Sequence, residues 1–438
     1  MAFSANNRLQ KAFFDGTSRV TEAFPGLGAA AIDVIGRLSI GNPWLAAYGR
    51  RRSRRTIRAV RSFDRFLVIP DIHIGDAVMT QAALVALRDF FPQARIDYLV
   101  NKTAFPLIEG HPDATRVLPF FSDGSFISRP DLDALRGLVR RERYDLCVNF
   151  GPFVKNRDIV PGGGRILNIM DRSPDMLRNE RDPHKINHFI WQFYWFVREL
   201  LSLRTPIRRR TDFRGVRLTI KAAAVDRARA FLARAGLPAG LPLILCNPDG
   251  ASPYTRIHPL AFRELLRSLA GLEVRVLMNS GHTVAGIGER LRDSLPPGLR
   301  PRVTIIPPDM PVDAYAAIID HCDAFVSGDT GPLHLAAARR YLFEGGAPFR
   351  NRTAVFSCFG ATPARMSGYD SFQPGFLPAN QDAPSWNTTA ASPCRNISCV
   401  DKLFKTCRTV RCFERFDVAG LVDRIRSYLA ARGPSPGS

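Results

Sequence analysis

The sequence predicts an α/β protein with two successive parallel sheets, each covered by helices on both faces. Short apolar strands alternate with amphipathic helices, a pattern typical of parallel sheets. This alternation occurs twice, once from Phe66 and again from near Val216, in a chain of 438 residues, a length that holds two or three domains. We therefore expect two Rossmann-like domains facing each other across a cleft, with ligands bound beyond the carboxyl ends of the strands.

The composition is that of a globular protein with an excess of positive charge. Hydrophobic residues make up 45% and charged residues 23%, which excludes fibrous, collagen-like and wholly disordered classes. Lys and Arg number 61 against 40 Asp and Glu, a net charge of +21. This excess favours an anionic partner, and nucleic acid, acidic lipid headgroups and nucleotide phosphates all qualify.

Residues 1–62 form a basic N-terminal extension that ends in an arginine cluster. Such a cluster indicates either a solvated arm or, beside scattered phenylalanines, a segment that lies on an anionic membrane. Nucleic-acid binding has less support because no reading module is recognisable. We find no apolar stretch of the ~18–20 residues that a membrane span needs and no signal peptide, so we expect a cytoplasmic protein. The clustered arginines are Arg50, Arg51, Arg52, Arg54, Arg55, Arg58 and Arg61.

The two α/β series give the expected domains, residues 63–205 and 206–438. The first series has strands at 66–70, 96–100 and 146–150 and helices at 77–90, 132–143 and 184–202. The second has strands at 243–246, 274–278, 303–306 and 324–327, with helices at 225–235, 259–269, 285–295, 312–320 and 331–339.

The first loop of chemical interest follows the strand at 66–70 and contains Gly75 and Asp76. Asp76 is either a helix N-cap or a cleft carboxylate able to take a proton from a substrate hydroxyl. His73 shares this ambiguity with less support.

The second loop, from Asn247 to Pro259, follows the strand that ends at Cys246. Ser252 can hydrogen-bond to a phosphate, and Arg256 can pair with a diphosphate through its guanidinium fork. The alternative is an ordinary surface loop with a solvated arginine.

The third loop runs from Ser327 into an alanine-rich helix. Thr330 suits a helix cap and Pro332 a first helical position, so the free N–H groups near Gly331 would form an anion site. No Gly-Lys-Ser/Thr follows, which excludes a Walker loop. His334 either assists the phosphates or packs against the turn.

Two patterns resemble metal sites and have simpler explanations. Asp131 and Asp133 form an Asp-x-Asp at a helix start after Pro130, where capping is the better interpretation. Four cysteines near the C-terminus have wider spacing than most zinc ribbons, so zinc, buried thiols and a disulfide all stay open. They are Cys394, Cys399, Cys407 and Cys412.

Together the three loops resemble glycosyltransferase family 9, which includes the lipopolysaccharide heptosyltransferases. The resemblance extends from about Phe66 to Leu429 and is most specific in residues 74–84 and 328–338. It implies a GT-B architecture, in which an N-terminal acceptor domain faces a C-terminal donor domain that carries the cysteine-containing tail. It also implies an inverting reaction that needs no metal or other cofactor and uses a nucleotide sugar, typically ADP-heptose.

The resemblance assigns roles to residues that match the family motifs. Asp76 takes the place of the catalytic base. The donor-binding positions are Ser252, Arg256, Asp329, Thr330, Gly331 and His334. No acidic residue stands around Ser280 to His282, where the family often has one that holds the nucleoside.

The acceptor side is less specific. His184, Lys185 and His188, at the start of the helix at 184–202, either contact an anionic glycolipid or form a solvated helix face. We expect sugar transfer, heptose being the implied sugar, to a lipopolysaccharide-type or other glycan acceptor, with the protein cytoplasmic or peripheral at the inner face of the cytoplasmic membrane. The alternatives are a nucleotide-sugar epimerase of the same fold and a non-catalytic, basic membrane-associated binding protein.

Overall fold

The computed structural model describes thirteen stretches of the chain. They are residues 43–121, 128–151, 165–169, 188–210, 213, 215–237, 240–349, 351–360, 362, 364–373, 382–390, 411–413 and 416–432.

A five-stranded, fully parallel sheet forms the first half, with strand order β3-β2-β1-β4-β5. Its strands are β1 (Arg65–Ile69), β2 (Arg95–Asn101), β3 (Arg116–Phe121), β4 (Leu146–Asn149) and β5 (Ile166–Asn168). Its helices are α1 (Pro43–Ala59), α2 (Ile74–Met79), α3 (Gln81–Phe90), α4 (Phe105–Ile108), α5 (Arg129–Glu142) and α6 (Phe189–Leu201).

The second half has a six-stranded parallel sheet and a small three-stranded sheet. The larger sheet has the order β14-β13-β10-β7-β8-β9, and the smaller one has the order β12-β11-β6. The strands are β6 (Arg217–Ile220), β7 (Leu243–Asn247), β8 (Arg275–Asn279), β9 (Val303–Ile306), β10 (Ala324–Ser327), β11 (Arg339–Leu342), β12 (Pro348–Phe349), β13 (Ala354–Phe359) and β14 (Ser385–Thr389). The helices are α7 (Ala222–Arg234), α8 (Pro259–Ala270), α9 (Ile287–Asp293), α10 (Val312–Asp320), α11 (Gly331–Ala337), α12 (Ala364–Ser367) and α13 (Val418–Arg432).

The strand order explains why the predicted loops lie together. In the larger sheet, β7 and β10 are neighbours, with Asn247 aligned to Ser327. The chain leaves this pair in opposite directions, towards β8 on one side and β13 on the other, so the pair is the switch point of the sheet. The second and third loops both leave the sheet there, as the α/β pattern predicts.

Sequence periodicity placed the end of the 331–339 helix two residues too late. Helix α11 ends at Ala337, and Arg339 opens strand β11 instead. The helix ends there because the next residue, Arg340, holds the chain in place. Its buried guanidinium pairs with the Asp320 carboxylate at 2.8 Å and donates to the carbonyls of Leu335 and Ala338. The predicted helix at 77–90 is likewise two helices, α2 and α3, which meet at Thr80.

The two halves share one core. A single cluster of buried apolar side chains includes Ala77 and Leu84 from the first half and Leu245 and Phe325 from the second. Strand β6 strengthens this union, because the Thr219 hydroxyl donates to the carbonyl of Glu109 at 2.7 Å. The predicted boundary near residue 205 thus precedes a strand that packs on the first half.

Helix α1 shows that part of the basic extension belongs to the folded protein. Its residues Ser53 and Ile57, together with Val60 just beyond it, are buried, while most of its arginines are exposed. The arginine cluster, apart from Arg61, is therefore part of an anchored helix. Residues 1–42 lie outside the described part of the chain.

Candidate active site

Asp76 lies in the first turn of α2, at the carboxyl end of β1. The N-cap of α2 is His73, and Asp76 is its third residue. The N-cap position, which was one of the two interpretations of Asp76, is therefore occupied by His73. Asp76 is half-buried beside Tyr98, whose phenol pKa is raised by burial and further by the Asp76 charge.

The second and third loops are joined by one amide. The Asn247 side-chain nitrogen donates to the Asp249 carbonyl, the Ser327 hydroxyl and the Thr330 hydroxyl, each at 2.9 Å. Asn247 is buried, so these bonds form away from water, where an unpaired amide would be costly. The amide thus fixes the start of α11 relative to the loop after β7.

Two glycines allow these loops to touch. A Cβ on Gly250 would lie 2.6 Å from the Thr330 Cγ2, and one on Gly328 would lie 2.2 Å from the Thr255 carbonyl oxygen. Both distances are far below van der Waals contact. Glycine at these positions is needed for the close approach of the two backbones.

Two further glycines allow the two halves of the molecule to come into close contact. A Cβ on Gly75 would lie 2.7 Å from the His334 ring and 3.2 Å from the Gly331 Cα. A Cβ on Gly331 would lie 2.3 Å from the Ile74 side chain. The Asp76 corner of the first half therefore faces the start of α11 in the second.

Thr330 and Gly331 stand where the sequence predicted a helix start. Thr330 is the N-cap of α11 by backbone position, but its hydroxyl bonds to Asn247 and Ser327 and makes no capping bond to the helix. Pro332 is the second helical residue, one position later than predicted. Asp329 beside them is half-buried.

Three aromatic rings connect α6 to this corner. The His334 Nδ1 and the Tyr369 hydroxyl are 2.9 Å apart, and the ring centroids of Tyr369 and His188 are 5.0 Å apart. Burial lowers the pKa of His334 to about 4, although the Asp329 carboxylate opposes this shift. His334 is therefore a neutral side chain near pH 7. Tyr369 had no signal in the sequence, because its contact depends on the tertiary fold.

Ser252 and Arg256 lie at the outer side of the same loops. The Ser252 hydroxyl accepts a hydrogen bond from the Tyr254 amide at 3.3 Å, as in a tight turn. Arg256 is half-buried, with its Cγ 3.1 Å from the position of a Cβ on Gly250. Among the described residues, none hydrogen-bonds to its guanidinium or pairs with it, which leaves this cation available to an anionic ligand.

Two carboxylates reach the 280–284 loop although no acidic residue stands within it. The Asp249 carboxylate accepts from the amides of His282 and Thr283 at 2.7 and 2.6 Å. The Glu289 carboxylate accepts from the Ser280 hydroxyl at 2.9 Å. Sequence reasoning missed both because the first lies 33 residues away along the chain and the second in the following helix.

The predicted acceptor residues are placed only in part. His184 and Lys185 lie outside the described residues. His188 is described, and it is fully buried as the N-cap of α6, with its Nδ1 accepting from the Ile190 amide at 3.2 Å. In this conformation His188 is not exposed to an acceptor, because its side chain is fully buried, with its ring in contact with that of Tyr369.

Of the two patterns that resemble metal sites, the first is described by the structure and the second is described only in part. Asp131 forms a capping box with Ser128 at the start of α5, which confirms the capping interpretation. Cys394, Cys399 and Cys407 lie outside the described residues, and Cys412 is buried. Within the described ranges, no group of three or more His, Cys, Asp or Glu side chains is arranged to hold a metal ion.

Comparisons with known proteins agree with this architecture. The model of "Glycosyltransferase family 9 (heptosyltransferase)" matches residues 213–340. Lipopolysaccharide heptosyltransferase 3 of Escherichia coli is 22% identical over 303 residues, covering 66% of this chain and 81% of the relative. The matched ranges of the family model include all the predicted donor positions, whereas Asp76 lies outside them.

Two solved structures show the same fold. A family 9 glycosyl transferase from Veillonella parvula has a TM-score of 0.58 at 14% identity, covering 84% of this chain and 98% of that one. The ADP-heptose lipopolysaccharide heptosyltransferase II of Escherichia coli has a TM-score of 0.53 at 16% identity, covering 83% and 99%.

The two facing α/β halves, with loops that converge between them, give the chain the α/β fold of these two glycosyltransferase structures, which confirms the predicted fold class. More particularly, residues 213–340 are similar to glycosyltransferase family 9, and the chain as a whole is similar to a lipopolysaccharide heptosyltransferase, in agreement with the resemblance of the sequence motifs. Within the described residues, no helix is both long enough and apolar enough to cross a membrane.

Proposed function

We propose that this protein transfers heptose from ADP-heptose to a hydroxyl of a lipopolysaccharide-type glycan, inverting the anomeric centre without a catalytic metal. The observation that carries the proposal is the contact of the Asp76 corner with the start of α11 across Gly75 and Gly331. This contact brings the proposed proton acceptor and the proposed anion-binding loop close together. The family match supports the donor side, and the similarity to lipopolysaccharide heptosyltransferase 3 supports the sugar.

Asp76 is the proposed base. It takes the proton of the acceptor hydroxyl while the acceptor oxygen attacks the sugar C1 and the bond from C1 to the diphosphate breaks. Attack from the side opposite the leaving group inverts C1. The half-buried position of Asp76 beside Tyr98 suits this role, because it limits solvation of the carboxylate.

The departing diphosphate gains negative charge, which the second and third loops would stabilise. Arg256 supplies the cation, and Ser252 and the backbone near Gly331 supply donors. A donor placed in this way is worth on the order of 3–4 kcal/mol in the transition state. We assign Asp329 and Thr330 to holding the shape of the donor loop, since the Thr330 hydroxyl is already bonded to Asn247 and Ser327.

His334 is neutral near pH 7 and is proposed to donate one uncharged hydrogen bond to the donor. Closure of the two halves over the substrates would exclude water, which would otherwise hydrolyse the donor. We retain 63–205 as the acceptor domain and 206–438 as the donor domain. His184 and Lys185 remain proposed acceptor contacts, and His188 is better assigned to supporting Tyr369.

Incubation of the full chain with radiolabelled ADP-heptose, with and without a lipopolysaccharide core acceptor, tests this function. The proposal predicts label in the acceptor and little donor turnover without it. Conversion of the donor to an epimer without acceptor would establish the epimerase alternative instead. Donor binding without either reaction would establish a non-catalytic binding protein.

A thermal-shift screen tests the choice of nucleotide. We expect ADP-linked heptose to stabilise the protein more than UDP-, GDP- or dTDP-linked sugars, since a ligand that binds only the folded state raises the unfolding temperature. A larger shift with a sugar linked to another nucleotide would leave the proposed reaction class unchanged and would identify a different donor.

We also propose a cytoplasmic location at the inner face of the cytoplasmic membrane, because a lipopolysaccharide-type acceptor is anchored in lipid. The exposed arginines of α1 support this placement. A truncated chain that starts at Ser62 would not test this location cleanly, because the truncation would also remove the buried side chains of Ile57 and Val60 from the core.

A further inference from the structure

The arginines of α1 are arranged as one continuous face. Arg50, Arg54 and Arg58 are spaced four residues apart, and so are Arg51 and Arg55 in the adjacent row. This spacing places all five on one side of the helix. An open recess of about 510 Å³ runs along this side, and its described lining consists of Ala47 and these arginines. They are Arg50, Arg51, Arg54, Arg55 and Arg58.

A second basic segment extends this face. Residues 202–210 follow α6 and expose Arg204, Arg208 and Arg210. The Arg204 guanidinium donates to the carbonyl of Arg58 at 2.7 Å, at the C-terminal end of α1. The Arg209 amide donates to the Asp89 carbonyl at 2.7 Å, which holds the segment against α3. Positive charge is thus continuous from α1 to residue 210.

Exposed apolar side chains lie among these charges. Tyr48 is 66% exposed on α1, and Leu203 and Ile207 are 42% and 37% exposed in the second segment. No acidic residue occurs in residues 43–63 or 200–210. Arginines interleaved with exposed aliphatic and aromatic side chains match the boundary between lipid headgroups and acyl chains.

We propose that α1 and residues 202–210 together form a docking surface for the anionic phospholipid headgroups of a bilayer. Two of the three exposed apolar side chains, Leu203 and Ile207, are aliphatic, whereas single-stranded nucleic acid is bound mainly by stacking on aromatic rings, of which this surface exposes Tyr48. The balance favours lipid over nucleic acid. The sequence alone indicated only the first cluster. The contribution of residues 202–210 follows from the contact between Arg204 and Arg58.

The surface is separate from the candidate active site. His188, in contact with Tyr369, begins α6, and Arg204 follows its other end, so the 13 residues of the helix put about 20 Å between them. Charge variants of the surface should therefore leave transfer to a soluble acceptor unchanged, and the docking does not depend on which sugar is transferred.

Cosedimentation of the full chain with vesicles tests the proposal. The vesicles are pure phosphatidylcholine or phosphatidylcholine with phosphatidylglycerol, at low salt. One variant is Arg51→Gln, Arg54→Gln, Arg55→Gln, and a second is Arg208→Gln, Arg210→Gln; Arg204 is kept because it contacts α1. The matched control neutralises Arg234, Arg263 and Arg267, which are exposed on α7 and α8.

Each arginine near an anionic surface should account for about fivefold in partitioning. We therefore expect losses of about 100-fold for the α1 variant and about 25-fold for the second variant on anionic vesicles, with the control within twofold. Circular dichroism checks that all variants are folded.

Several results would overturn the proposal. Wild-type binding by the second variant would remove residues 202–210 from the surface, and equal binding to neutral vesicles would remove the role of charge. Release by inorganic phosphate at matched ionic strength would indicate a site for a small anion. If the arginine variants lost binding to a single-stranded RNA and kept their binding to vesicles, the surface would be assigned to nucleic acid.

Discussion

The proton position on His334 is determined by one neighbour. Burial raises the pKa of Tyr369, so this side chain remains a phenol with a proton to donate. Among the described residues, the hydrogen-bond partner of its hydroxyl is the His334 Nδ1, at 2.9 Å. We propose that the phenol donates to Nδ1, which places the ring proton on Nε2, on the side of Gly75.

Tyr369→Phe should remove this control of the His334 tautomer. The buried Nδ1 would lose its partner, at a cost of about 1–3 kcal/mol in the free energy of unfolding. We expect the KM for the nucleotide sugar to rise about tenfold, which corresponds to about 1.4 kcal/mol, with a smaller change in kcat. Steady-state kinetics and urea denaturation measure the two effects.

Tyr315→Phe is the control for this prediction. The Tyr315 hydroxyl is buried without a partner among the described residues, so its removal should change neither quantity appreciably. Equal KM values for the two variants would show that Tyr369 has no positioning role.

Single residues were predictable where the pattern was local. The capping box of Asp131 was predictable because Ser128 and Asp131 are three residues apart. The burial of His188 was not, because it depends on Tyr369, which lies far away in the sequence. Local spacing thus predicts caps, and it does not show which side of a helix a distant segment covers.

At the scale of elements, the contact of α2 with α11 depends on Gly75. Gly75→Ala would place a methyl group 2.7 Å from the buried His334 ring, so the ring or the helix must move. We expect kcat/KM to fall at least about tenfold, because displacement of a catalytic geometry by about 1 Å costs up to 100-fold. The transfer assay measures this loss.

Gly137→Ala is the matched control. Gly137 lies exposed in α5, and a Cβ there would meet no atom within 4 Å. We expect unchanged activity and a gain of about 0.5–1 kcal/mol in stability. If both alanine variants retained full activity, the close approach of the two helices would be irrelevant to function.

The sequence identified the central elements better than the peripheral ones. Strand β10 was predicted at its observed bounds, because Ala324–Ser327 is a short, wholly buried apolar run. Strand β11 was missed, because it contains Arg340 and its burial requires Asp320 from another helix. Strands whose charges are neutralised by distant partners do not resemble strands in sequence.

For the molecule as a whole, three buried histidines should make stability depend on pH. Burial lowers the pKa of His111 and His188 to about 3 and that of His334 to about 4, against 6.5 for an exposed histidine. Between pH 6.5 and about 4 the unfolded chain binds more protons than the folded one, so stability falls as pH decreases through this range.

His188→Asn isolates one of these groups. The asparagine side-chain oxygen can keep the N-cap bond to Ile190, and it does not titrate. Urea denaturation at several pH values should show a weaker pH dependence between 6.5 and 4 for the variant than for the natural chain. Identical slopes would mean that the pKa of His188 is the same in the folded and unfolded states, which would contradict this account.

The most direct measurement compares the two carboxylates of the β1–α2 corner. Asp71 is the rival base, since it is half-buried and burial raises its pKa, although its carboxylate accepts a hydrogen bond from the Ile72 amide. Donor affinity by calorimetry and kcat by the transfer assay would be measured for Asp76→Asn and Asp71→Asn. Our account predicts that Asp76→Asn loses at least about 100-fold in kcat with unchanged donor affinity, and Asp71→Asn less than tenfold. Full activity of Asp76→Asn, or a larger loss in Asp71→Asn, would contradict it.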